Sequence, residues 1–213
     1  MSNDALIREL SADLVPVRRR LVLREAALLL ALGAAELGLF LGLGLMRPDM
    51  GQRIASPYMM WKLGGLAMLA GVCCTVAIRS FSPTARPRRG LMLAFMLAGA
   101  VMIGGLFVGA GDASGHTLLD RLSPMRGLLC AFSIVVLSMP MMAMLAVLMR
   151  AAAPTHPEGS ALASGIAAGT CGAFIFAFCC PINDPLYIVV WYSAGCAVVT
   201  AMARWLLPRR FRL

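Results

Sequence analysis

The sequence predicts an all-α integral membrane protein, a bundle of six transmembrane helices with a short cytoplasmic N-terminal amphipathic helix. Three observations predict it. Hydrophobic residues make up 60% of the 213-residue chain and charged residues only 14%, with a mean hydropathy of +0.83; soluble domains run near about 45–50% apolar and about 25% charged. Apolar stretches able to cross a hydrocarbon layer of about 30 Å, which takes roughly 20 residues, recur six times. Lys and Arg gather in alternate loops, as they do in multi-pass membrane proteins.

The first element lies in residues 2–15, SNDALIRELSADLV. Leu6, Ile7, Leu10 and Leu14 fall on one helical face. Ser2 or Asn3 caps the start, and Pro16 ends the pattern at Val15. So short a helix is not stable alone in water and must fold on a surface. A helix lying on a membrane is usually rich in Lys and Arg. Asp4, Glu9 and Asp13 therefore favour the apolar groove of a soluble cytoplasmic partner over the bilayer.

The six spans are expected at about 26–46, 57–78, 90–110, 127–149, 160–180 and 186–206. The first run follows 25 residues containing four acids and lacks a small-residue cleavage site, so it reads as a retained helix rather than a signal peptide. Gly38/Gly42 and Gly165/Gly169 have the spacing that lets helices approach closely, and tight packing within one bundle is the expected use. Fourteen of the 19 Lys and Arg residues fall in the termini and in the second-to-third and fourth-to-fifth loops. This places both termini in the cytoplasm. The organisation is then a cytoplasmic arm (1–25), a membrane domain (26–207) and a basic cytoplasmic tail (208–213). The net charge of +9 is mostly this bias, facing the anionic headgroups of the lipid bilayer. No loop has room for a soluble enzyme domain or for a folded basic surface that would read nucleic acid directly.

Polar residues inside the spans are the candidates for chemistry. Glu36 lies near the middle of the first span, where an acid is costly and is a functional candidate by default. The alternative is a protonated carboxyl hydrogen-bonded to a neighbouring helix. Pro140 is expected to kink the fourth span, with Met139, Met141, Met142 and Met144 as adaptable packing around it. His116 and His156 sit in loops on opposite sides and cannot share a site. The seven cysteines are too sparse for a disulfide scaffold. Cys73, Cys74, Cys171 and Cys196 lie deep in spans and read as small inert hydrophobes. Cys130 lies one turn into the fourth span from the outer side, and Cys179 and Cys180 end the fifth span on that same side. One of the latter two can face Cys130, as packing, as a disulfide or as a two-thiolate soft-metal site.

Motifs spread along the chain carry a resemblance. Residues 180–192 read CPINDPLYIVVWY, and Ala153, Pro154 and Pro157 precede the fifth span. LSMP ends at Pro140, ten residues after Cys130. Arg47, Pro48 and Asp49 follow the first span, and Pro57, Trp61 and Lys62 open the second. With the N-terminal Leu6, Ile7, Leu10, Asp13, Pro16 and Arg18, the chain resembles the NrsF-type membrane anti-sigma factors over nearly its whole length. That resemblance implies a non-enzymatic protein of the bacterial inner membrane. It would hold an extracytoplasmic-function sigma factor through Leu6, Ile7, Leu10 and Leu14 and release it in a stress response. It also implies Cys130 and Cys180 as sensing thiols, matching the family's cysteines, with an oxidant or a transient soft metal as the trigger. No resident metal or cofactor and no oligomeric state are implied. The competing class is a small transporter or channel, which would show an internal repeat and broken helices meeting at midplane polar groups; no such repeat is visible.

Overall fold

The computed structural model describes residues 21–47, 50–82, 87–108, 122–152 and 154–209. The expected amphipathic helix, with Leu6, Ile7, Leu10 and Leu14, lies outside them, as does the end of the basic tail. The described helices are α1 (Val22–Gly42), the single turn α2 (Met50–Arg53), α3 (Pro57–Ser80) and α4 (Pro87–Val108). They continue as α5 (Pro124–Leu137), α6 (Met139–Ala152), α7 (Pro157–Phe176) and α8 (Pro185–Arg209). With α5 and α6 taken as one interrupted span, six segments are long and apolar enough to cross a membrane. The chain is a multi-pass membrane protein.

Five of the six spans begin at a proline: Pro57, Pro87, Pro124, Pro157 and Pro185. Proline suits the first helical position because its missing N–H would have no partner there and its φ is already helical. Ser56 adds a cap to α3 by accepting a hydrogen bond from the Met59 amide at 3.3 Å. Asp184 Oδ1 accepts from the Leu186 amide at 2.9 Å and closes the first turn of α8.

One expected boundary is corrected. The fifth span was expected to run to residue 180 but ends at Phe176, and residues 177–184 form the connection that carries Cys179 and Cys180. Pro181 disfavours helical geometry at Cys180, so the apolar run outlasts the helix. The fourth span is interrupted at Ser138, between α5 and α6, within the stretch where Pro140 was expected to kink it. Proline cannot donate to the carbonyl one turn back, and the helix gives way just before it. Ser138 Oγ donates to the Ile134 carbonyl at 2.7 Å and seals the break.

Helix α7 is the axis of the bundle: 72% of its apolar stretch is buried, against 6% for α1. Its Ala, Gly and Ser residues allow neighbours onto every side. Gly165 lies against the Thr200 backbone and Ala203, and Gly169 against Cys196, so this small-residue pair docks α8 within the same chain. Gly172 meets the break, where a Cβ would overlap Ser138 Oγ and press on the Ile134 carbonyl. Gly38 and Gly42 touch no neighbour among the described residues. Their spacing does not pack α1 into the bundle, a correction to the sequence reading. Helix α1 instead rests on α3, α6 and α7 along one edge and leaves Leu30 and Leu39 exposed.

Candidate functional site

The thiols gather where α3, α5 and α8 begin and α7 ends. Cys130, Ile134, Phe176, Cys180, Tyr187 and Tyr192 belong to one buried cluster there. Local sequence builds it. Trp191 lies over Gly127, where a Cβ would fall inside the indole ring, so α5 and α8 close to contact. The Trp191 indole N–H donates to the Leu122 carbonyl at 2.8 Å and fixes the entry to α5. Trp61 uses the same device on α4, lying over Gly105 and donating to the Val101 carbonyl at 3.1 Å. Arg47 ties the α1–α2 link to the α7–α8 connection, through its amide to the Phe178 carbonyl at 3.3 Å and its guanidinium to Asn183 Oδ1 at 3.0 Å.

Within this frame Cys130 is 8% exposed and Cys180 fully buried. Cys130 Sγ lies 3.2 Å from the Tyr187 hydroxyl in a hydrogen bond that either group can donate. Cys180 sits in the α7–α8 connection, outside the helices. Hydrogen bonding from Cys130 is the largest influence drawing its thiol below the ordinary range, and the Lys62 ammonium acts in the same sense against the cost of burial. Cys179, half-buried beside it, is shifted the other way, chiefly by burial. Of the two adjacent thiols, Cys180 is the one that joins Cys130. All seven cysteines are free thiols.

Lys62 is the residue that sequence reasoning missed. The sequence places it at the opening of the second span without assigning it a role; in the structure it lies in the second turn of α3 and is 1% exposed. Its Nζ donates to the Cys180 carbonyl at 3.5 Å and stands 5.7 Å from the centroid of the Tyr192 ring. A lysine inside a stretch otherwise apolar enough to span was the signal available, since such residues face the bundle interior and find partners.

The other sequence candidates fall elsewhere. Glu36 lines a separate cleft of about 160 Å³ with Leu137, Pro140 and Ile175, beside the break in the fourth span. Both its carboxyl oxygens are buried without a hydrogen-bond partner among the described residues. The expected hydrogen bond from a neighbouring helix is therefore not made: the cleft wall at Glu36 is built of apolar side chains. Cys74 and Cys171 are not isolated hydrophobes, because their sulfurs touch at 3.6 Å.

A six-span membrane bundle with a buried, lysine-flanked thiol cluster at one end defines a class of multi-pass proteins without an appended soluble domain among the described residues. Residues 10–213 match the protein family described as NrsF, negative regulator of sigma F. The chain is 30% identical over 207 residues to the anti-sigma-F factor NrsF of Caulobacter vibrioides strain NA1000 / CB15N, covering 96% of each protein. No solved structure matches it. The chain belongs to the NrsF family and is a membrane anti-sigma factor, a regulator rather than an enzyme.

Proposed function

We propose that this protein holds an extracytoplasmic-function sigma factor at the bacterial inner membrane through its N-terminal arm and releases it when Cys130 and Cys180 are bridged. The observation that carries the proposal is the meeting of these two thiols in one buried cluster with Lys62 and Tyr187. Both termini are cytoplasmic in this reading, on the bias of 14 of 19 Lys and Arg residues toward one side. The thiol cluster then lies near the outer face, where an extracytoplasmic signal arrives first. In the resting state Leu6, Ile7, Leu10 and Leu14 fill an apolar groove on the sigma factor.

Two triggers balance chemically. A soft divalent metal forms two metal–sulfur bonds and displaces both thiol protons. An oxidant accepts two electrons, the two thiols lose two protons, and a sulfur–sulfur bond forms. Either one draws α5 toward the α7–α8 connection. The route to the arm runs through the broken span. Cys130 is on α5, the interruption at Ser138 and Pro140 offers a hinge between α5 and α6, and Met141 of α6 packs 3.7 Å from a Cβ position on Gly33 of α1. Helix α1 is the least buried span and leads directly back to the arm. A trigger shifts this equilibrium only by binding the two arrangements unequally, and bridging two thiols that one arrangement holds together meets that requirement.

The test uses the full-length protein and its sigma factor in cells with a sigma-dependent reporter. Leu10→Asp is expected to free the sigma factor without any signal, whereas Cys130→Ser and Cys180→Ser are expected to keep repression and abolish induction. Repression unchanged by Leu10→Asp removes the arm from the mechanism, and induction that survives both serine variants removes the thiols.

A further inference from the structure

A second pair of thiols lies away from the first. Cys74 of α3 and Cys171 of α7 bring their sulfurs to 3.6 Å. Both line an apolar cavity of about 450 Å³ between α1, α3 and α7, with Met141 of α6 at its wall. None of the lining residues is charged. Its rim includes Leu30, Gly71 and Thr75, which are exposed on the side of the bundle that faces lipid. A hydrated ion has no polar path into such a space and pays heavily to enter it. A neutral solute dissolved in the bilayer does not.

We propose that Cys74 and Cys171 form a dithiol capture site for lipid-dissolved trivalent soft electrophiles, of which an organoarsenical(III) is the type. Two sulfurs held by one pyramidal trivalent centre through bonds of about 2.3 Å, the length of a zinc–thiolate bond, at an angle of about 100° lie about 3.5 Å apart. The observed separation therefore needs almost no helix movement to accept a bridging soft atom. The reaction with an arylarsine oxide forms two arsenic–sulfur bonds and breaks the arsenic–oxygen bond. Both thiol protons leave with that oxygen as one water, and arsenic stays trivalent, so no oxidant or reductant is needed. The aryl group occupies the cavity, and the Met141 thioether, the Phe174 ring and the methyls around them supply an apolar, polarisable lining. The site does not depend on the sigma-factor proposal, because it uses neither the arm nor Cys130 and Cys180.

The experiment uses the full-length protein in phosphatidylcholine vesicles, carrying Cys130→Ser, Cys179→Ser and Cys180→Ser so that the other cluster cannot react. Phenylarsine oxide is the probe and intact mass the readout. One adduct per chain is expected, resistant to 2-mercaptoethanol and removed by 1,2-ethanedithiol. Adding Cys74→Ala or Cys171→Ala is expected to cut its yield at least tenfold. A hydrophilic, membrane-impermeant phenylarsine oxide conjugate is expected to react at least tenfold more slowly. No adduct in the parent variant, an adduct that persists after either alanine change, or one removed by the monothiol overturns the dithiol site. Equal rates for the two probes overturn entry from the lipid.

Discussion

Replacing Lys62 with Met keeps the length and most of the volume of the side chain and removes the one ammonium group that stands over the Cys180 carbonyl. Its Nζ is 3.5 Å from that carbonyl oxygen, and charges on neighbouring groups of this kind stand on the order of 6 Å apart. At that separation and an effective dielectric near 20, two unit charges interact by about 3 kcal/mol. One pH unit corresponds to about 1.36 kcal/mol, so about two units is the ceiling. Hydrogen bonding from Cys130, the larger influence on Cys180, survives the change. A shift of about one unit is expected. Its sign follows from the charge: the ammonium favours the thiolate, so without it the thiol keeps its proton to higher pH. A soft metal competes with that proton. Titrating the purified protein with Cd²⁺ at a series of pH values should therefore show the half-binding pH rising by about one unit in Lys62→Met and holding in Lys62→Arg. An unmoved midpoint in Lys62→Met would refute an electrostatic action of Lys62 on Cys180.

Other outcomes follow from the packing. Gly172→Val is expected to destabilise the detergent-solubilised protein by about 1–3 kcal/mol through overpacking against Ser138 and the Ile134 carbonyl. Adding Ser138→Gly should recover part of that loss in a double-mutant cycle on chemical denaturation, and strict additivity would mean the two residues do not meet. Glu36→Leu is expected to stabilise the protein by about 1–3 kcal/mol, because it removes two buried oxygens that have no partner. A destabilised Glu36→Leu would mean that Glu36 serves a bonded partner. Gly169→Leu is expected to separate α7 from α8, since even a Cβ at this position lies 3.1 Å from the Cys196 backbone. Lowered yield in the membrane fraction, read by immunoblot, checks it.

Hydropathy made the spans legible, because a stretch such as 57–78 must cross a layer of fixed thickness whatever it packs against. Gly165 and Gly169 were legible for a related reason: absent side chains announce where another backbone comes close. The partners of a given face were harder to read. Cys74 and Cys171 read as inert because their contact depends on how α3 and α7 are rotated about their own axes, and each helix alone is apolar nearly all round. Lys62 carried no role in the sequence because hydropathy tolerates one lysine near a helix end without saying which way it turns. Glu36 was expected to find a bonded neighbour, and no periodicity shows that the cleft beside Pro140 is walled by Leu137 and Ile175. The pairing of Cys130 with Cys180 rather than Cys179 came from resemblance. Geometry supports it because the helix has ended at Phe176, and the connection before Pro181 carries Cys180 into the cluster.

The prolines that open five spans fix more than the starting points. A residue that precedes proline resists helical geometry, so none of these helices can grow backward by recruiting a turn from its loop. Growth and shrinkage are left to the trailing ends. When a span slides or the bilayer thins, the adjustment falls on turns such as Ile78–Ser80, Phe174–Phe176 and Leu206–Arg209, while the leading ends travel as rigid points. The segment carrying Cys179 and Cys180 hangs between one such yielding end and one such fixed start. It is thus tied on one side to a helix start that cannot retreat and on the other to a helix end that no proline pins at its first turn.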